Sequence, residues 1–439
     1  MSAVVYTLGV VFFFLGLMAS IALHEVGHMW PAKKFGVKVT EYFVGFGRRV
    51  WSVRRGETEY GIKAIPLGGY VKLVGMLPPA ARDAGGDPDH PQRVRASNTG
   101  MFTQLVADAR AAEYERVGPG EQDRLFYRKP WWQKLIVMSG GPLVNIAIAT
   151  VLFGVLIMVI GGPGPATTTV DTVSDCVIPA DRAQQSCQPG DPESPAAVAG
   201  LRPGDTITSF NGTPITEWDQ LTDLIRANAA GTARIGVERD GRALTLRTNT
   251  TVSTRQSLDN PDAFTEVGFL GVGPTQPIVR GGPGDVAATM GRLVKLTGAA
   301  MVDLPARMVG VARAAVGGER EQDSPMSVVG ASRVAGELVT AEENPWRTRF
   351  SQVIGLLASV NLFIALFNFL PVLPLDGGHI AGALYEALRR AWARLRGRPD
   401  PGYVDIARLL PLAYGFALVL IVMGVLLVWT DIVNPVRLQ

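Results

Sequence analysis

At 439 residues, 47% hydrophobic and only 18% charged, with positive mean hydropathy, the chain reads as a membrane protein rather than one soluble domain. Its formal net charge of +3 is too small to carry a nucleic-acid reading, so no nucleic-acid partner is expected.

Four intervals hold no charged residue: 1–23, 135–170, 350–375 and 409–430. Each exceeds the roughly 20 residues needed to cross about 30 Å of hydrocarbon, with the Pro- and Gly-rich end of the second expected outside. The fold class expected is a polytopic α-helical membrane protein with four transmembrane helices, at 1–30, 132–160, 350–376 and 409–430. Segments 31–134 and 377–408 hold 18 Lys and Arg against 11 Asp and Glu, and 6 against 3, whereas 171–349 holds 17 against 22. The positive-inside rule then makes the first two segments cytoplasmic and puts both termini and the long middle segment outside.

The first span runs into His24-Glu25-Val26-Gly27-His28. It lacks a basic leader and a small-residue cleavage site, so it is read as retained. On a helix, His24 and His28 share a face and both reach one Zn²⁺, with Glu25 a step round as general base. Two His and a Glu without partners inside an apolar span are costly, which strengthens the metal reading.

Residues 31–76, rich in Val, Tyr, Phe and Gly, predict a membrane-associated β-hairpin region on the cytoplasmic side. Two readings stand: an edge offered to an extended substrate, or a small subdomain that only packs. Residues 77–131 turn polar and read as a cytoplasmic insertion with one helix within 100–116; His90 there is an ordinary surface histidine. The second span contains Ser139-Gly140-Gly141-Pro142, read as a close helix contact, and Asn145, a weaker functional candidate.

Residues 164–275 have the composition of a compact β-rich domain, with strands expected at 167–173, 206–210, 233–239 and 243–248 and a helix at 221–227. Asn211-Gly212 and Asp240-Gly241 are turn signals. The run from Ala199-Gly200-Leu201-Arg202-Pro203-Gly204-Asp205 to Asn211-Gly212 resembles the core signature of a bacterial PDZ domain. The α+β PDZ fold recognises extended peptides or chain ends by strand addition; a purely steric role is the alternative. Cys176 and Cys187 fall in this outside segment, where a disulfide forms readily, with two free thiols as the other reading. Residues 283–345 predict extracytoplasmic amphipathic helices, with Val286, Met290, Leu293, Met301, Met308 and Val311 along one side.

The third span carries Asn361 and Asn368 and ends in Leu370-Pro371-Val372-Leu373-Pro374-Leu375-Asp376-Gly377-Gly378-His379. Two prolines and two glycines around an acid predict a helix break, tolerated in a membrane only where protein or a water-filled cavity satisfies the backbone. A catalytic zinc wants a third protein ligand and an open position, and Asp376 is the carboxylate at that break. His379 reads either as an outer partner of the site or as a cytoplasmic residue. The Arg-rich connection 377–408 and the last span look structural.

With His24 to His28, Gly141-Pro142 and Asn145, the PDZ-like signature, and Asn368 to Gly378 in hand, the chain resembles an intramembrane zinc metalloprotease of the site-2 protease family, of the bacterial type with an extracytoplasmic PDZ domain. The resemblance implies His24, His28 and Asp376 as zinc ligands, Glu25 as catalytic acid/base, and Asn368 as a contact for an unwound substrate segment. Asn361 is carried as a second substrate contact, although the family pattern sets the pair closer than seven residues. It also implies a place in the bacterial cytoplasmic membrane, single-pass substrates such as anti-sigma factors, and a protease that cuts those substrates first. The 34 Arg against 8 Lys, with abundant Ala, Gly and Val, suggest a gene from a G+C-rich bacterium. The alternative from another class is a membrane-anchored PDZ scaffold with a structural or inactive metal site.

Overall fold

The computed structural model describes residues 2–78, 120–178, 186–256, 264–318, 320, 324–341 and 345–436. Most of the expected insertion, with its helix and His90, lies outside the described residues. The chain forms two compact units, one of residues 1–160 and 281–439 and the other Gly161–Arg280.

The first unit opens with α1 (Ser2–Lys34), 33 residues long, which at 1.5 Å per residue extends about 50 Å. It stops at Gly36, whose φ of +69° suits glycine; Gly36 and Val37 donate their N–H groups back to the Lys33 and Ala32 carbonyls. That stop turns the chain at once into β1 (Val39–Arg55) and β2 (Thr58–Leu73), which fold onto each other. Glu41, Tyr42, Phe43 and Val44 each pair twice, with Lys72, Val71, Tyr70 and Gly69 and again with Glu59, Tyr60, Gly61 and Ile62. The start of β1 therefore lies between the two halves of β2. The final stretch of β2 is left with pairing along one side only, among the described residues. Val37, Val39 and Leu73 bury against Ala32, Val137 and Met138, and the Tyr42 hydroxyl donates to the Ala22 carbonyl at 2.8 Å. Both contacts pin the sheet to the histidine-bearing end of α1.

Span two is α2 (Trp131–Gly154), which runs on through Val155–Ile160 as a π-helical turn. It crosses α1 backbone against backbone. A methyl group at Gly27 would lie 2.4 Å from the Gly140 carbonyl oxygen, and one at Gly140 would lie 1.9 Å from that of Gly27. Small residues are what let two helices approach so closely.

The second unit contains, in order, β3 (Gly162–Pro163), β4 (Val170–Val173), α3 (Pro195–Ala199), β5 (Thr206–Phe210), β6 (Thr213–Pro214), α4 (Trp218–Ala227), β7 (Thr232–Arg239), β8 (Arg242–Asn249), β9 (Thr251–Gln256), β10 (Phe264–Phe269), β11 (Val272–Pro274) and β12 (Ile278–Val279). Its sheet has the order β6-β5-β7-β8, and the other strands pair two by two. Ile207 and Phe210 from β5, Ile235 and Val237 from β7, and Leu221 from α4 form its core. Asp240-Gly241 makes the expected turn between β7 and β8, with φ of +52° and +74°. β9 and β10 were not anticipated by the strand signals. Cys176 and Cys187 are joined in a disulfide.

Asp205 is buried in this unit, taking a forked pair of hydrogen bonds from Arg239 at 2.6 and 2.7 Å and one from the Arg202 N–H. The Arg239 guanidinium holds the Asp205 carboxyl below its ordinary value of 3.8. A depressed folded-state value stabilises the fold above the unfolded value and is lost as pH falls through the folded one. The unfolding midpoint of this unit is therefore expected to drop as pH falls below 3.8, and less steeply in Asp205→Asn. Thermal scans across that range check it.

The chain then returns to the first unit through α5 (Pro283–Ala315), α6 (Val328–Thr340), α7 (Trp346–Asn368), α8 (Asp376–Leu395) and α9 (Leu410–Val433). The amphipathic stripe of α5 is partly used: Val286 packs with Phe153 and Ala358, and Met290 and Leu293 join that cluster. α9 is fixed at its end by Asp431, buried against Arg320 at 2.6 Å and accepting from the Ser327 N–H at 2.7 Å. Among the described residues, four helices are long and apolar enough to cross a membrane, Ala3–Lys34, Trp131–Ile160, Trp346–Asn368 and Leu410–Val433, matching the four charge-free intervals. Two details differ from the sequence reading. The third span ends at Asn368 rather than 376, because Pro371 and Pro374 cannot continue it. The connection 377–408 begins with a 20-residue helix instead of a loop.

Candidate metal centre

His24 and His28 occupy successive turns of α1, where both rings are buried against α2. Asp376 comes from the other side of the fold. The segment between α7 and α8 folds so tightly that a methyl group at Gly377 would lie 2.1 Å from the Leu370 carbonyl oxygen. That turn places Asp376 in the first turn of α8, where unpaired backbone N–H groups favour a carboxylate.

The three side chains meet. His24 Nε2 and His28 Nε2 are 3.2 Å apart, and Asp376 Oδ2 lies 3.4 and 3.2 Å from them. Donors about 2.0–2.1 Å from a tetrahedral zinc stand roughly 3.3 Å from one another, so these atoms fit the edges of a zinc site. Among the described residues Asp376 Oδ2 accepts no hydrogen bond. His28 Nδ1 donates to the Val137 carbonyl at 2.8 Å, which fixes the ring and turns the lone pair of Nε2 toward the site. Gly141 keeps the space open: a methyl group there would lie 2.3 Å from His28 Nε2 and 2.6 Å from His24 Nε2. Among the described residues these three form the group able to hold a metal ion.

A cavity of about 420 Å³ opens on this triad and on Glu25. The final stretch of β2, Gly68 to Val71, forms one wall, close enough that a methyl group at Gly69 would lie 3.1 Å from Glu25 Cγ. Asn145, Asn368 and His379 also face it. Of the residues read from the sequence, His24, Glu25, His28, Asp376 and Asn368 are thus brought together. His379 joins them, its Nδ1 shielded from solvent and without a hydrogen-bond partner among the described residues. Asn361 does not. It is fully buried within α7, with its amide donating to the Leu357 carbonyl at 2.8 Å.

One interaction escaped sequence reasoning. Lys134 at the start of α2 meets Glu386 of α8 at 2.7 Å, with side chains 9% and 3% exposed, and Arg390 adds a second contact to Glu386 at 3.0 Å. The available signal was that Glu386 is the lone acid within 377–399, ten residues from Asp376 and so within a quarter turn of it around the helix. The pair clamps α8 to α2 and so sets where Asp376 stands relative to His24 and His28. Lys134→Ala leaves a buried acid with half its partners, and a loss of about 3 kcal/mol is expected, read as a lower unfolding midpoint of detergent-purified protein.

His24, His28 and Asp376 would hold a zinc ion, which would supply a Lewis acid for water and for a carbonyl. Glu25 puts a carboxylate, a group able to act as a general base, on the same cavity. Gly68 to Val71 line the same cavity, and Asn368 and Asn145 add amides.

The sequence matches the family model described as peptidase family M50 over residues 12–404, a span that includes all of these residues. It is 35% identical over 447 aligned positions to the zinc metalloprotease Rip1 of Mycobacterium tuberculosis, covering 99% of each chain. It is 32% identical over 445 positions to Rip1 of Mycolicibacterium smegmatis, again over 99% of each, and 26% identical over 386 to the metalloprotease MmpA of Caulobacter vibrioides, over 85% of each. A nearly full-length match of this kind, on a chain whose His24, His28 and Asp376 meet as metal ligands do, leads to one assignment: the chain belongs to peptidase family M50, the site-2 protease family of zinc metalloproteases.

Proposed function

We propose that the chain is an intramembrane endopeptidase that hydrolyses a peptide bond within or beside the membrane span of another, single-pass membrane protein. The observation that carries this is the position of the chemistry: Glu25 and both histidines lie inside the apolar helix Ala3–Lys34, on a cavity walled by a strand edge. His24, His28 and Asp376 hold the zinc, and Glu25 is the base. A helical substrate hides its scissile carbonyl, so it must unwind first. The Gly68 to Val71 edge then accepts the extended segment as an added strand, and Asn368, with Asn145, replaces its lost hydrogen bonds. Asn361, being off the cavity, acts on the packing of α7 rather than on substrate.

The charge partition supports cytoplasmic placement of the site, with both termini and the unit Gly161–Arg280 outside. That unit is read as a PDZ module, supported by its Gly200 to Asp205 signature and by the buried Asp205 that signature contributes. Its role is to select substrates already trimmed by another protease. Membrane-bound anti-sigma factors are the substrate class that the resemblance implies, which places the enzyme in stress signalling.

Full-length protein reconstituted in vesicles with a single-span test substrate decides the reading. Mass spectrometry of the products is expected to put the cut within the apolar span or at its margin. Cuts confined to segments outside the bilayer would instead make it an anchored protease of soluble segments.

A further inference from the structure

The helix that carries Asp376 has two unlike faces. Asp376, His379, Ala383, Glu386 and Arg390 follow one another at three, four, three and four residues and form one side of α8. That side is packed: Asp376 and His379 line the cavity, Ala383 is buried, and Glu386 meets Lys134. Half a turn away, Leu384, Leu388, Trp392 and Leu395 repeat at four, four and three residues. These four are bare, at 43%, 69%, 57% and 83% exposure.

Three observations say what covers them. α8 begins eight residues after Asn368, the end of one membrane-length helix, and the next such helix begins at Leu410. Eight residues reach at most about 28 Å, which ties the start of α8 to the bilayer, and residues 396–409 join its end to the next span. The bare stripe is bordered by Arg394, Arg396 and Arg398, all exposed. Arg396 lies over the Trp392 ring, 4.3 Å from its centroid, joining an aromatic that favours the membrane interface to a charge that favours phosphate. An apolar stripe with a basic border is the pattern of a helix lying in the plane of a bilayer surface.

We infer that α8 is an in-plane helix whose Leu384, Leu388, Trp392 and Leu395 insert among lipid chains while its arginines hold anionic phosphate headgroups, and that this lipid contact seats Asp376 at the metal site. The second half rests on the assignment of Asp376 as a zinc ligand; the first half does not. Because the same rigid helix carries lipid-facing and site-facing residues, a shift of one face moves the other. Lipid composition thereby sets metal affinity.

The test uses the full chain in vesicles of phosphatidylcholine, with and without phosphatidylglycerol. A nitroxide on Leu388→Cys is expected to be relaxed by oxygen, which dissolves in lipid, more than by an aqueous nickel chelate. Relaxation mainly by the chelate would overturn the lipid contact, and protection from both would assign the stripe to a protein partner instead. Zinc retention against a chelator is expected to be about tenfold stronger with the anionic lipid. The triple variant Arg394→Gln, Arg396→Gln, Arg398→Gln is expected to lose that difference. Equal retention by the parent in both lipids would overturn the coupling to Asp376. A parent that takes up no zinc in either would sink the ligand assignment, while the nitroxide depth would still decide the lipid contact.

Discussion

Glu25→Gln is expected to keep its zinc and to cleave a reconstituted substrate roughly a hundred- to ten-thousandfold more slowly than the parent, the usual worth of a positioned general base. The side chain is not one of the three converging ligands, yet it lines the same cavity. Gln matches Glu in shape and retains a hydrogen-bonding oxygen, but it cannot carry a proton from water to a leaving amine. The loss should fall on kcat, with KM little changed, because the interaction removed belongs to the transition state. Single-turnover cleavage beside zinc analysis of the same sample reads both halves. Parent-like cleavage would remove Glu25 from the mechanism, and loss of zinc would make it a ligand or a support for one.

Gly141→Ala is expected to lose zinc although no ligand is altered. The added methyl would stand 2.3 Å from His28 Nε2 and 2.6 Å from His24 Nε2, in the space beside the two nitrogens proposed to hold the metal. Either the methyl fills that space or α2 retreats from α1, and the Val137 carbonyl retreats with it, releasing the His28 ring. A fall in zinc affinity of about a hundredfold is reasonable, since loss of an orienting partner alone costs ten- to a hundredfold. Gly154→Ala is the control on the same helix: a methyl there meets nothing within 4 Å, and zinc is expected to stay bound. Zinc content after dialysis against a weak chelator distinguishes the two.

What the sequence revealed and what it hid follow from the range of each constraint. His24, Glu25 and His28 are legible because a helix fixes their geometry within five residues. Asp376 is legible for a different reason: Pro371, Pro374, Gly377 and Gly378 announce a break, and an acid at a break inside a membrane needs a purpose. Gly141 looked like packing, since its role depends on α1 and α2 touching at Gly27 and Gly140, a crossing that no local pattern encodes. The Lys134–Glu386 pair spans 252 residues and was hidden because either charge also suits a membrane margin. Asn361 was carried from the resemblance, as a partner of Asn368. Seven residues is almost two full turns, so Asn361 and Asn368 share a face of α7, but about 10 Å of rise separates them and the cavity reaches α7 at Ile364 and Asn368 without reaching Asn361. α8 was read as a connection because the arginines around its C-terminal end masked the apolar stripe beside them.

The central claim is that one zinc sits between the first span and the start of α8, held by two imidazoles and a carboxylate. X-ray absorption at the zinc edge of the purified parent tests it most directly. The account predicts two imidazole nitrogens with oxygen neighbours, all about 2.0–2.2 Å from the metal, and one imidazole fewer in His28→Ala. A sulfur shell, or a spectrum unchanged by His28→Ala, would contradict it.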